Sequence, residues 1–176
     1  MIILGIDPGM AETGWGIIRT ANGPPKAEQM ANGGKKESKK NNGLTLVGYG
    51  CIKTLVDHEM PKRLLVLRKE LKKIISEHKP DCAAIEQLFF GQNSKTAMIV
   101  GQARGVLIVT VAEQKVPVFE YQGLRVKLNL SGFGHSSKKK MQSTVRKLLR
   151  LKFLPRPQHA SDALAIAIYH ALENGQ

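Results

Sequence analysis

Apolar positions along this chain fall into short unbroken runs and longer stripes of helical period. Ile2-Ile3-Leu4-Gly5-Ile6 is such a run, the pattern of a strand buried on both faces. It stops at Asp7-Pro8-Gly9. Proline cannot donate to a ladder and glycine permits a sharp turn, so Asp7 is predicted at the rim of a central strand, half buried over the sheet edge. Glu12–Thr20 reads as a second strand, antiparallel to the first through Pro8-Gly9-Met10-Ala11. Gly14 and Gly16 inside it mark close approach by another backbone or a ligand. Residues 44–52 complete a meander. Pro61 then opens a helix whose stripe is Leu64, Leu65, Leu67, Leu71, Ile74 and Ile75, and His78-Lys79-Pro80 ends it.

Residues 81–86, Asp-Cys-Ala-Ala-Ile-Glu, form a second apolar run that ends in an acid. The helix before it makes a crossover, so this strand is predicted parallel to the first. Asp7 and Glu86 would then share the carboxyl edge of the sheet, where open α/β sheets bind ligands. The apolar Gln87-Leu88-Phe89-Phe90 beyond Glu86 is expected to form a lid. Asn93 or Ser94 is a candidate cap for a helix over 95–114. That helix is apolar nearly all round, which suits deep burial or a subunit contact. Residues 116–120 read as a fifth strand, with Glu120 expected to pair with the basic region that follows. Residues 138–152 form an amphipathic helix with Met141, Val145, Leu148 and Leu149 inside. The last helix begins near His159. His159 and Asp162, three apart, face the same way on its first turn, and its Ala- and Ile-rich body should pack on the sheet and carry both inward.

Composition adds a partner class. The chain has 176 residues, is 42% hydrophobic and carries +13, which suits one domain with a proper core. The charge is concentrated. From 121 to 152 stand Arg125, Lys127, Lys138, Lys139, Lys140, Arg146, Lys147, Arg150 and Lys152 with no acid, nine of the thirteen net charges. Such a one-sided field favours nucleic acid. No apolar run is long enough to span a membrane and no signal-peptide pattern opens the sequence, so a cytoplasmic protein with no membrane partner is expected. Cys51 and Cys82 form no C-x-x-C and read as reduced core residues. Residues 21–42 are basic and nearly devoid of apolar side chains, and read as a flexible insertion within the single domain 1–176.

Three acids and an imidazole converging on one rim have an electrostatic consequence. Two carboxylates about 4 Å apart repel by roughly 4 kcal/mol at an effective dielectric near 20, and only protons or cations relieve that. Oxygen-rich sites with one imidazole suit Mg²⁺ or Mn²⁺ and not structural zinc. Beside a polyanion-binding face, this points to metal-dependent phosphodiester hydrolysis.

The motifs Ile3-Leu4-Gly5-Ile6-Asp7-Pro8-Gly9, Ala84-Ile85-Glu86-Gln87, Gly101-Gln102-Ala103-Arg104-Gly105 and Ala160-Ser161-Asp162-Ala163-Leu164-Ala165-Ile166-Ala167 together resemble the RuvC family of Holliday-junction resolvases. The resemblance implies an RNase H-like α/β fold, a five-stranded mixed sheet of order 3-2-1-4-5 with helices on both faces. It implies a homodimer that makes paired symmetric nicks in a four-way DNA junction, working beside a junction-binding protein and a branch-migration ATPase. It carries Asp7, Glu86, His159 and Asp162 into a metal site with two Mg²⁺ ions, or Mn²⁺. His159 stands where many relatives have Asp, which favours Mn²⁺. It places Phe89 near the junction centre, Lys127 and Lys138 beside the scissile region with Lys139 and Lys140 as additional bases, and the 95–114 helix in the dimer interface. A non-catalytic, structure-selective DNA-binding module of the same fold is the alternative.

Overall fold

The computed structural model describes residues 1–21, 43–88, 94–132 and 137–174. Five strands form one sheet: β1 (Ile2–Asp7), β2 (Glu12–Thr20), β3 (Leu44–Lys53), β4 (Cys82–Glu86) and β5 (Val118–Tyr121). Their order is β3-β2-β1-β4-β5. β1, β2 and β3 form the antiparallel meander, while β4 lies parallel to β1 and β5 parallel to β4. Both crossovers run through helices, α1 (Met60–His78) and α2 (Ser94–Glu113), as parallel pairing requires. The chain then forms α3 (Gly123–Ser131), α4 (Lys138–Leu148) and α5 (Gln158–Glu173).

The two sheet faces have separate cores. On one, Leu4, Ile6, Ile17, Ala83 and Ile85 meet Leu67, Leu71 and Ile75 of α1 and Ala103, Leu107 and Val111 of α2. On the other, Ile3, Ile18, Cys82 and Ala84 meet α5, with Val126 of α3 and Met141 and Val145 of α4 closing the edge. Strand side chains alternate between faces. Ile3, Gly5 and Asp7 therefore point to the α5 side, and so do Cys82, Ala84 and Glu86. The same parity that buries Ile3 and Ala84 sends both acids to one face.

α5 lies close to that face because Gly5, Gly14 and Gly16 lie beneath it. A Cβ on Gly5 would stand 2.0 Å from the Ala163 carbonyl oxygen, and one on Gly14 1.9 Å from that of His159. The two β2 glycines thus admit a helix backbone, as their presence in a strand suggested. α5 is correspondingly built from small residues at the contact, Ala160, Ala163 and Ala167, all fully buried.

Several expectations need correction. The stretch before residue 132 is a further helix, α3 (Gly123–Ser131), whose apolar residues Leu124, Val126, Leu128 and Leu130 alternate along the sequence and so do not announce it. α4 stops at Leu148, not 152, and Arg150 beyond it adopts a left-handed φ of 53°. Cys82 is buried but Cys51 is only partly so, because β3 is an edge strand with one face toward solvent; both thiols are free. Glu120 pairs with Arg104 of α2 and not with the basic region, since alternation along β5 turns it to the α2 side. α2 buries only one stripe and leaves Met98 and Val109 exposed. The 21–42 insertion from residue 22 on, Phe89, Phe90 and the helix cap at Asn93 lie outside the described residues. Among the described residues, no helix is long and apolar enough to cross a membrane.

Candidate functional site

Asp7 is the last residue of β1 and is buried. The turn after it is held from below. The Thr54 hydroxyl donates to the Met10 carbonyl at 2.5 Å, and Arg63 Nε donates to Thr54 Oγ1 at 2.9 Å. Thr13 Oγ1 donates to the Gly9 carbonyl at 2.5 Å. These bonds take up backbone groups that the Pro8-Gly9 turn leaves without ladder partners. The carboxylate therefore projects from a fixed platform.

α5 enters over this platform. Its N-cap is Pro157, without a capping side chain, so the polar groups of its first turn are turned to other work. His159 Nδ1 lies 2.7 Å from Asp7 Oδ2. Gln158 Nε2 donates to Asp162 Oδ2 at 3.3 Å. One ligand atom from each of Asp7, His159 and Asp162 can be chosen so that all lie within 4.8 Å of one another. Glu86 ends β4, one register step beyond the Ile6–Ile85 pair, which sets it beside Asp7. Gly123 opens α3 directly over it: a Cβ there would meet Glu86 Oε1 at 1.7 Å. A glycine at this position makes room for the carboxylate.

The electrostatics follow from this crowding. Burial, the Asp7 charge and a hydrogen bond to Asp7 push Glu86 up from 4.5 to about 7. Burial and then the Asp7 charge raise Asp162. The hydrogen bond to Asp7 raises His159 against the opposing effect of its own burial. Lys127 of α3 is the cation that draws both Glu86 and Asp162 back down. A small pocket between Lys127, Val126, Met141 and Ile166 opens onto these two acids. Lys138, Lys139 and Lys140 stand exposed on the first turn of α4, next to Met141.

The donor set fits hard divalent cations. Carboxylate oxygens dominate, one imidazole joins them, and among the described residues no cysteine, which structural zinc would favour, belongs to the cluster. Without a cation, the crowding favours the protonated forms of Glu86, Asp162 and His159, and this has a measurable sign. Glu86, Asp162 and His159 all have raised values in the folded protein, so each contributes stability at low pH that is lost as pH rises. For Glu86 that window runs from 4.5 to about 7. In chelator, the thermal midpoint is expected to fall as pH rises through this window, and Glu86→Gln should flatten the profile. A wild-type midpoint independent of pH there would contradict the crowded arrangement.

The site residues named from sequence stand as follows. Asp7, His159 and Asp162 converge, Glu86 adjoins Asp7, and Lys127 faces the acids. Phe89 lies outside the described residues. Sequence reasoning missed Gly123, which only its contact with Glu86 reveals, and the Thr54–Arg63 support, whose members carry no motif.

The family model described as crossover junction endodeoxyribonuclease RuvC matches residues 3–170. A crossover junction endodeoxyribonuclease RuvC of Roseiflexus sp. (strain RS-1) is 42% identical over 167 residues, 95% of this chain and 88% of the relative. Its counterpart in Chloroflexus aurantiacus is 44% identical over 171 residues, 97% and 93% of the two chains. Among solved structures, T. thermophilus RuvC in complex with a Holliday junction substrate superposes with a TM-score of 0.82 at 30% identity, covering 99% of this chain and 95% of that one.

Proposed function

The chain belongs to the RuvC family of crossover junction endodeoxyribonucleases, and from this we propose that it resolves four-way DNA junctions by metal-dependent hydrolysis of the phosphodiester. The observation that carries the reading is the convergence of Asp7, His159 and Asp162 within 4.8 Å, with Glu86 beside them and a cationic helix at the edge. Asp7, Glu86, Asp162 and His159 would hold two Mg²⁺ or Mn²⁺ ions. Bound there, the ions would supply an activated water and charge stabilisation for the leaving oxygen of an in-line displacement.

The protein's own groups divide the remaining work. Asp7 and Asp162 supply fixed negative charge on a strand end and a helix turn, so neither reorganises during the reaction. Lys127 balances that charge and offers a docking point for the phosphate next to the scissile one. Lys138, Lys139 and Lys140 extend the cationic track along the backbone. Phe89 would stack on an unpaired base at the junction centre. The apolar surface of α2, with Met98 and Val109 exposed, suits a homodimer interface, and two copies would place two sites on opposed strands for paired nicks. Cytoplasmic work beside a junction-binding protein and a branch-migration ATPase fits this reading.

A synthetic four-way junction compared with linear duplex, each with Mn²⁺, Mg²⁺ or chelator, tests it. Cleavage of the junction alone, and only with a divalent ion, is expected. Equal cutting of both DNAs, or cutting in chelator, would refute it. Salt dependence tests the cationic face separately. If about eight phosphates are contacted, log K should fall against log salt with a slope near −7, roughly 0.9 per phosphate. A slope near zero would remove the α3–α4 bases from the interface.

A further inference from the structure

The motif Gly101-Gln102-Ala103-Arg104-Gly105 contains a charged residue that the catalytic constellation does not use. Arg104 lies on α2, on the sheet face opposite α5, and its side chain is only 18% exposed. Its Nε donates to the backbone carbonyl of Glu86 at 3.1 Å. Its Nη2 pairs with the Glu120 carboxylate on β5. One planar fork thus joins α2 to the ends of two strands.

The Glu86 carbonyl needs such a donor for a reason written in β1. The amides of Ala83 and Gln87 donate to Pro117 and Tyr121 on the β5 side. Alternation then turns the Glu86 carbonyl toward the β1 side. With Ile6 opposite Ile85, the next ladder donor would be the nitrogen of residue 8. That residue is Pro8, which has no N–H. The turn that frees Asp7 from the sheet therefore also deprives the neighbouring strand of its last hydrogen bond. A carbonyl left without a partner at a half-buried strand end would let the peptide plane, and the Glu86 side chain one bond away, rotate.

We propose that Arg104 is a positioning residue for Glu86: it supplies the hydrogen bond that Pro8 cannot, and is itself held by Glu120, so that α2 fixes the geometry of a metal-binding carboxylate it never touches. This rests on the metal-site reading above. The effect runs through backbone geometry, so it must appear in cation binding itself and not merely in folding. Partners that orient metal ligands typically contribute 10- to 100-fold in affinity or activity.

The test is a titration of the full-length protein with Mn²⁺ alone, followed by electron paramagnetic resonance, alongside thermal midpoints and cleavage at rising Mn²⁺. Arg104→Gln is expected to weaken Mn²⁺ binding by about 10-fold or more, with most cleavage recovered at saturating Mn²⁺ and junction affinity in chelator unchanged. Arg104→Lys, which keeps the charge but not the fork, should recover only part. Mn²⁺ affinity equal to wild type in Arg104→Gln would overturn the proposal, even if the thermal midpoint drops. If Arg104→Gln does not fold, the exposed Glu120→Gln decides: a smaller weakening of the same sign supports the proposal, and no change overturns it. Asp7→Asn separates the two readings. If it binds Mn²⁺ as tightly as wild type, the metal site itself is wrong; if it alone loses Mn²⁺ while the Arg104 variants do not, only the positioning role fails.

Discussion

Asp7→Asn is expected to abolish junction cleavage, by ~10³-fold or more, while junction binding stays intact or tightens. Asp7 is the group around which His159, Glu86 and Asp162 gather. It accepts from His159 at 2.7 Å, and its charge raises both Glu86 and Asp162. Asparagine keeps the shape but removes the negative charge and one strong oxygen donor. Several kcal/mol of transition-state stabilisation go with it, since a cation held at the rim depends on that charge. Binding should not suffer if, as proposed, phosphate affinity comes from the bases of α3 and α4, since a carboxylate near phosphate opposes it. The variant is measured in two assays on the same preparation, gel-shift without divalent ion and cleavage with Mn²⁺. Near-normal cleavage would leave the chain a binding module with structural acids.

The second large effect is mechanical. Gly14→Ala should lower stability by about 1–3 kcal/mol or more, a fall in thermal midpoint of roughly 2–12 °C for a chain of this size. The added Cβ would stand 1.9 Å from the His159 carbonyl oxygen and 2.9 Å from the Ala160 nitrogen, both backbone atoms. No side chain can rotate away, so α5 must retreat. Its first turn carries His159 and Asp162, so cleavage should fall even where the protein remains folded. Gly5→Ala acts one turn further along, 2.0 Å from the Ala163 carbonyl, and should behave alike. Gly48→Ala, whose Cβ would meet only ordinary contacts with Trp15 and His78 near 3.5 Å, is the control on the edge strand. Differential scanning calorimetry and single-turnover cleavage report the two consequences. Wild-type midpoints in both core variants would mean that the helix does not lie as close to the sheet as drawn.

These effects share an origin. The protein places acids on rigid elements and sets the elements together by omitting side chains. Gly5, Gly14 and Gly16 bring α5 down, and Gly123 leaves space for Glu86. The crowding that raises Glu86 to about 7 follows from that spacing. A looser helix would lower the repulsion and also the affinity for a cation.

Sequence alone determined much of this. The apolar run ending at Asp7-Pro8-Gly9, the second ending at Glu86, and the helix between them settle that both acids end parallel strands at one edge, because period and crossover handedness leave little choice. The nine bases from 121 to 152, in a stretch that contains no acid, mark the cationic side for the same kind of reason, a sum that needs no coordinates. The family motifs imply the strand order that the sheet has, and name the residues proposed as metal ligands. What only the tertiary structure decided depends on distances between residues remote in sequence. α3 is not legible because its apolar residues Leu124, Val126, Leu128 and Leu130 alternate as in a strand, and Val126 is the one that completes the α5 core. Glu120 turns away from the basic region because its strand parity faces α2. Arg104 finds the Glu86 carbonyl because Pro8, in the turn after β1, has no hydrogen to offer it. Local pattern fixes which face a side chain takes; which partner waits there is set by packing that closes only when the whole sheet is assembled.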